Sequence, residues 1–255
     1  MKNHTYLSTL PQKAGSIFIS MGMMLGLGAV MFGLTSCGGG GGGGGGSSSS
    51  PASGAMTVSS FNPPGIVASS VYQTIVISGS NFANGTTVSI TGSSGTPVVS
   101  SVTVTNSNTL TAVIKIDTPP TNRYVTLSIQ PPSSAAAVTQ VLGVANVRKT
   151  FASNISLLLT ANSVASCTGC HTGTANGGLD LNTANSLNNE PSQGCTSRLR
   201  VKRGDPRRSS SFLIDKIQAT GGSPACYGVP MPNGGIQLQA SEIQDFIEWI
   251  AGGAY

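Results

Sequence analysis

Between Met56 and Val147, apolar residues recur at every second position in short runs. This period of two predicts strands that each have one buried face. The predicted strands cover residues 71–79, 86–91, 99–105, 110–116 and 123–129. Turn-forming dipeptides such as Asn84-Gly85 and Pro119-Pro120 separate some of them. Short strands at regular spacing favour an all-β sandwich over residues 56–147.

The last part of the chain follows a helical period instead. Phe151, Ile155, Leu158 and Leu159 fall at positions i, i+4, i+7 and i+8 of the sequence. This spacing predicts a short helix that runs towards Val164.

A second helix is predicted close to the end of the chain. Ser241 and Gln244 fit a capping box at its start, and Gly252-Gly253 is expected to end it. Trp249 is expected in the core, beside an apolar face formed by Ile243, Phe246, Ile247 and Ile250.

The N-terminal residues are typical of an export signal. Lys2 and Lys13 precede an apolar run over residues 17–34, which at about 18 residues is also long enough for a retained membrane anchor. The run ends in Leu34-Thr35-Ser36-Cys37, which resembles the bacterial lipobox. This resemblance implies a signal peptide over residues 1–36 and a lipidated Cys37. The protein is then expected in the cell envelope, held by acyl chains and facing the periplasm or the cell surface.

Residues 37–55 form the predicted tether. Glycines and serines dominate this segment, which therefore has no capacity for a core. Its r.m.s. reach is roughly 25 Å, from the square-root dependence on length of a flexible chain. Glycine after Cys37 favours the outer membrane over the inner membrane.

The stretch Ile77-Ser-Gly-Ser-Asn-Phe-Ala-Asn-Gly-Thr-Thr-Val88 resembles the immunoglobulin-like domains called IPT or TIG. In that family a Gly-x-Asn-Phe turn precedes a Thr-rich strand. The resemblance implies an immunoglobulin-like sandwich that serves as a spacer or as a protein-binding module.

The chemistry of the chain is concentrated in Cys167-Thr168-Gly169-Cys170-His171. Two thiols at this spacing add across the vinyl groups of a haem, and the adjacent histidine ligates the iron. The motif predicts one covalently bound haem c. Three alternatives are a thioredoxin-like dithiol, a Cys167–Cys170 disulfide, and a zinc site completed by Cys195 or Cys226.

Few residues are candidates for the second axial position of the haem iron. His4 lies in the leader, so His171 is the only histidine of the mature chain, and a second histidine ligand is excluded. Outside the leader the methionines are Met56, which opens the strand region, and Met231. Met231 lies in a proline-flanked loop 60 residues after His171 and is the predicted sixth ligand, although it also fits an ordinary loop residue.

Several short motifs follow the haem motif in a particular order. They are Gly177-Gly-Leu-Asp-Leu181, Gly204-Asp-Pro206, Ser211-Phe-Leu-Ile-Asp-Lys-Ile217, Met231-Pro232 and Ile247-Glu-Trp-Ile-Ala-Gly252. This order is similar to that of the single-haem cytochrome c domains common in planctomycetes. The resemblance covers roughly residues 160–253 and implies an all-α cytochrome c fold over residues 150–255. The predicted fold class is thus multidomain, an all-β immunoglobulin-like sandwich followed by an all-α cytochrome c domain.

Two further cysteines, Cys195 and Cys226, are expected to form a disulfide in an exported domain. With Cys37 lipidated and two thiols on the haem, this pairing leaves no odd cysteine.

The charged residues of the chain are informative in one segment only. The formal net charge is +5, but Lys2 and Lys13 belong to the leader, and few aromatic residues accompany the remaining charges, which excludes a nucleic-acid footprint. Six basic residues crowd into one run: Arg198, Arg200, Lys202, Arg203, Arg207 and Arg208. They are expected either to contact haem propionates or an acidic redox partner, or to form a solvated loop.

These observations predict a membrane-anchored electron carrier that is not an enzyme. Its partners are an unknown redox donor and acceptor, and the membrane through the lipid anchor. Two alternatives remain. One is a haem enzyme or gas sensor with an open sixth position, and the other is an adhesion or assembly lipoprotein that acts through the sandwich.

Overall fold

The computed structural model describes residues 54–133, 135–161, 167–172, 178–188, 190–193, 195–218, 230–232 and 237–255. All of these residues belong to one compact unit. The predicted signal peptide, Cys37, most of the tether and Cys226 lie outside the described residues. Among the helices of the described part, none is long and apolar enough to cross a membrane.

Eight strands form two four-stranded sheets. In chain order they are β1 Thr57–Asn62, β2 Gly65–Val67, β3 Ser69–Ser80, β4 Thr87–Thr91, β5 Val98–Asn106, β6 Thr109–Ile116, β7 Tyr124–Gln130 and β8 Val138–Ala145. The first sheet has the order β1-β3-β6-β5 and is antiparallel throughout. The second has the order β2-β8-β7-β4, in which only the β2–β8 pair is parallel.

The period of two in the sequence marks the faces of the central strands. In β6 and β7, buried and half-buried residues alternate along the whole strand. Their buried residues are Leu110, Ala112, Ile114, Ile116, Val125, Leu127 and Ile129, and they join one apolar core with residues of β2, β3, β4 and β8. Each of the Leu, Ile and Val side chains contributes about 1.5–3 kcal/mol when fully buried. The predicted strands coincide with β3 to β7, whereas β1, β2 and β8 were not predicted.

After the sheets the chain forms short elements around a second apolar core. They are a π-helical turn Phe151–Ile155, α1 Ser156–Ala161, α2 Cys167–Cys170, a 3-10 turn Ala184–Ser186, β9 Pro191–Ser192, β10 Cys195–Leu199, α3 Phe212–Ile217 and α4 Ala240–Ala251. The side chain of Thr150 caps the π-helical turn by accepting the Ser153 N–H. The rings of Phe151 and Trp249 lie 5.9 Å apart, so the first and last helical segments pack against each other.

The predicted all-α cytochrome c fold over residues 150–255 is wrong for the described residues. The described part as a whole is 39% strand and 21% helix, with four short helices. Within 150–255, β9 and β10 form an antiparallel pair, and α2 and α3 have only four and six residues. Helices this short do not hold themselves together without tertiary contacts. The all-α expectation came from the resemblance in motif order, which does not determine the secondary structure of the residues between the motifs.

The last helix begins earlier than the sequence indicated. The N-cap of α4 is Gln239, whose side chain and that of Glu242 form the capping box, in place of the predicted Ser241 and Gln244. Its end agrees with the prediction, because Gly252 is the C-cap and Gly253 follows with a φ of 105°. Trp249 is fully buried, as expected.

The end of α4 lies directly against strands of the second sheet. A Cβ added at Gly143 of β8 would lie 2.4 Å from the Ala251 carbonyl oxygen, and one added at Gly204 would lie 1.7 Å from the Pro64 carbonyl oxygen. The Gly204 N–H also donates to the Ile250 carbonyl at 2.9 Å. Only glycine permits so close a backbone approach, so a side chain at either position would collide with the facing backbone.

A buried carboxylate connects the same two parts. The side chain of Glu248 in α4 is 5% exposed and accepts hydrogen bonds from the Arg123 Nε and from the Asn146 N–H, the latter at 2.6 Å. Arg123 adopts a left-handed φ of 61°, and its second guanidinium nitrogen donates to the Pro120 carbonyl at 2.8 Å. The ion pair therefore joins the loop before β7 to the last helix.

Candidate functional site

The candidate haem motif lies on one helical turn. Helix α2 contains Cys167 and Cys170, and the His171 N–H donates to the Cys167 carbonyl oxygen at 2.9 Å. The His171 carbonyl in turn accepts the N–H of the buried Leu181 at 2.9 Å. The structure therefore brings the two cysteines and the histidine together, and fixes the histidine backbone from both sides.

Cys167 lies at the boundary of the second apolar core. Its side chain is half-buried and packs against that core, whereas Cys170 is exposed. Other half-buried apolar side chains pack against the same core: Leu158, Leu179, Ala184, Leu213, Ile243 and Ile247. Cofactor sites are lined mainly by apolar side chains of this kind.

The state of the two cysteines bears on the alternatives. Neither Cys167 nor Cys170 is in a disulfide, so the proposed bridge between them is absent from this turn. Burial raises the pKa of the Cys167 thiol, and the charges of Cys170 and Glu242 act in the same direction. Reactive cysteines of thioredoxin-like dithiols have lowered pKa values, whereas the pKa of the Cys167 thiol is raised.

The zinc alternative needs several ligand side chains that converge on one point. Among the described residues, no group of three His, Cys, Asp or Glu side chains is arranged so that it could hold a metal ion. Cys195 also lies elsewhere, buried beside Phe212, and it is already in a disulfide.

Met231 is anchored through its backbone. Its N–H donates to the carbonyl oxygen of Lys216, in the last turn of α3, at 2.9 Å. The Met231 side chain is half-buried, and the Met231–Pro232 peptide bond is cis. The candidate sixth ligand is therefore tied to α3, which the sequence did not indicate.

Cys195, in β10, is disulfide-bonded. Its partner is neither Cys167 nor Cys170, since these form no disulfide. The predicted partner, Cys226, lies outside the described residues, and its pairing stays a prediction.

Much of the basic run is engaged within the protein. Arg200 donates to the Ser186 and Gly178 carbonyls, and Arg203 donates to the Gly253 carbonyl while its guanidinium lies 4.8 Å from the ring centre of Tyr255. The four remaining members are ion-paired: Arg198 and Arg208 with Asp215, and Lys202 and Arg207 with Asp205. Sequence reasoning missed Asp215, although it lies in one of the quoted motifs.

The stability of this region is expected to depend on pH through Asp205. Burial alone would raise the pKa of this carboxyl, but hydrogen bonds from Arg207 and Ser210 and the charges of Arg207 and Lys202 outweigh it and lower the pKa. A lowered pKa in the folded state stabilises the fold above the unfolded value of about 3.9, and this contribution disappears as the pH falls below it.

Asp205→Asn is therefore expected to cost about 2–3 kcal/mol at pH 7, less than a fully buried pair because the Arg207 side chain reaches solvent. Urea titrations of both proteins at pH 7 and pH 3 measure the difference. The difference between the two free energies should narrow from pH 7 to pH 3, and a constant difference would show that the Asp205 carboxylate is not responsible.

Taken together, the described residues fit a c-type haem in their chemistry. The motif offers two thiols outside any disulfide and an adjacent imidazole on one helical turn, next to half-buried apolar side chains. Cys167 and Cys170 would hold the haem covalently, and His171 and Met231 would be the axial ligands.

Comparison with known proteins adds no family to this description. A scan against protein-family models finds no match to the chain, and a search of curated proteins finds no similar sequence.

Proposed function

We propose that this chain is a membrane-anchored c-type cytochrome that carries one haem and transfers single electrons. The observation that carries the proposal is the helical turn Cys167–Cys170, followed at once by His171, with neither cysteine in a disulfide. The fold that supports this turn is mostly β in its described part, and the proposal does not depend on an all-α domain.

The proposed roles follow from the side chains themselves. Cys167 and Cys170 would form the two thioether links, and the His171 nitrogen and the Met231 sulfur would ligate the iron. The bound haem supplies an iron that cycles between its ferrous and ferric states. Half-buried apolar residues that pack against the same core as Cys167, such as Leu158, would help to exclude water from the group.

Electron transfer is favoured over catalysis because the chain has little acid–base chemistry to offer. No histidine besides His171 follows the leader, and His171 is used as a ligand. If His171 and Met231 both ligate the iron, no ligand position would remain for a substrate, and Met/His ligation would raise the reduction potential.

The envelope location is proposed from the lipobox-like segment. Lipidation of Cys37 would anchor the protein, and the Gly/Ser tether that follows would let it move near the membrane surface. The outer membrane is favoured. A redox donor and acceptor are the implied partners.

A spectroelectrochemical titration of the purified full-length protein tests the function. We expect one reversible transition of a single electron, and no carbon monoxide binding by the reduced protein. Strong carbon monoxide binding by the reduced protein would instead favour a haem enzyme or gas sensor with an open sixth position.

A further inference from the structure

Asp215 lies at the centre of a three-residue ion-pair cluster. Its side chain is 8% exposed, and one carboxylate oxygen accepts a hydrogen bond from Arg198 at 2.9 Å. The other oxygen accepts two hydrogen bonds from Arg208, at 2.6 and 3.1 Å. The carboxylate thus bridges α3 to β10 on one side and to the loop before α3 on the other.

The residue after Asp215 provides the contact with the candidate sixth ligand. Lys216 is the next residue of α3, and its carbonyl oxygen accepts the Met231 N–H at 2.9 Å. A displacement of α3 would therefore displace the backbone of Met231 with it.

We infer that Asp215 is a positioning residue for Met231, because its bridge from Arg198 to Arg208 fixes the helix to which the Met231 backbone is bound. This inference rests on the proposed function, in which Met231 ligates the haem iron. Two residues of the basic run, Arg198 and Arg208, then help to hold the helix to which the Met231 backbone is bound.

The helix depends on such contacts for its position. With six residues, α3 is far too short to be stable alone. Its first turn is held by the Leu213 N–H, which donates to the Arg200 carbonyl at 2.9 Å, and by the packing of Phe212 beside Cys195. Asp215 supplies a charged contact one residue before Lys216, whose carbonyl oxygen accepts the Met231 N–H.

The carboxylate stays ionised under ordinary conditions. Burial alone would raise the pKa of Asp215, but the hydrogen bonds from Arg208 and Arg198 outweigh it and hold the pKa below its usual value. Charge-assisted hydrogen bonds of this kind are stronger than neutral ones, so the bridge from Arg198 to Arg208 is well suited to keep α3 in one place.

The test compares Asp215→Asn with Asp245→Asn in the haem-loaded full-length protein. Asp245 also loses an ion pair, with Lys149, but it lies on α4 away from this cluster. We expect Asp215→Asn to weaken the near-infrared sulfur-to-iron band at unchanged haem content. Carbon monoxide affinity of the reduced protein should rise on the order of tenfold, because it scales with the fraction of chains in which the thioether is off the iron. Asp245→Asn should leave both readouts unchanged.

An intact band in folded Asp215→Asn would overturn the inference. If that variant does not fold, Arg208→Gln tests the inference instead. Its matched control is Arg207→Gln, which also removes one positive charge, but one that is paired with Asp205. Arg208→Gln should weaken the band and Arg207→Gln should not, and equal bands would overturn the inference. Met231→Ala separates the two proposals: if it leaves the band unchanged, Met231 is not the ligand and the proposed axial ligation itself fails.

Discussion

Glu248→Ala is expected to lower the free energy of unfolding by about 3–5 kcal/mol, the usual cost of removing one partner of a buried ion pair. The substitution leaves the Arg123 guanidinium without its carboxylate and the Asn146 N–H without its acceptor. Urea unfolding followed by the fluorescence of Trp249, the one tryptophan of the chain, measures this loss. Trp249 is fully buried beside Phe151 and therefore reports on the second core.

The matched control for this prediction is Asp245→Ala on the same helix. Its ion pair with Lys149 is partly exposed, so the expected loss is below about 1 kcal/mol. Far-ultraviolet circular dichroism, to which the sheets contribute, should shift together with the fluorescence in Glu248→Ala, because the ion pair joins both parts of the chain. A shift of the fluorescence alone would mean that the residues after 150 unfold independently of the sheets.

Met231→Ala is expected to have the largest effect on the redox properties of the haem-loaded protein. Loss of the thioether should lower the reduction potential on the order of 0.2 V, a fraction of the roughly 0.8 V that axial ligands span. The same variant should bind carbon monoxide in its reduced form, because the sixth position is then open. A potentiometric titration and a carbon monoxide difference spectrum measure the two effects.

The matched control for the methionine is Met56→Ala, since Met56 is the other methionine outside the leader and packs in the core of the sheets. We expect this variant to keep the wild-type potential, although it loses some stability. If Met231→Ala also keeps the wild-type potential and binds no carbon monoxide, the assigned axial pair is wrong.

Local patterns predicted the parts of the fold that depend on neighbouring residues. The alternation in β6 and β7 and the glycines that end α4 follow from the chain itself, because strand faces and helix ends are determined within a few residues. The capping box was misplaced by two residues, since Gln239 with Glu242 and Ser241 with Gln244 both offer suitable side chains three positions apart.

Contacts between distant residues were not predictable in the same way. Arg123 and Glu248 are 125 positions apart, and nothing in either local sequence identifies the other. The same holds for Asp215, which the sequence shows as one acid in an apolar motif and the structure shows between Arg198 and Arg208. The two-residue strand β9 has no periodic pattern, and the resemblance to cytochrome c domains implied an all-α arrangement for this part of the chain.

The candidate site was identified from spacing alone, since Cys167, Cys170 and His171 are close in sequence and share one turn. What the structure added is the support around them: the half-buried apolar residues of the second core and the bond from Lys216 to Met231. These contacts depend on how the helices and strands pack against each other, and the spacing of residues along the sequence does not determine that packing.

The most direct test of the central claim is haem attachment to the intact polypeptide, measured after export and denaturation. The pyridine haemochrome spectrum should be that of a c-type haem, with one haem per chain, and the mass of the denatured polypeptide should include it. A variant with both Cys167→Ala and Cys170→Ala should lose the covalent haem entirely, whereas Thr172→Ala, at an exposed residue next to His171, should retain it. A wild-type polypeptide that carries no covalent haem would contradict the account.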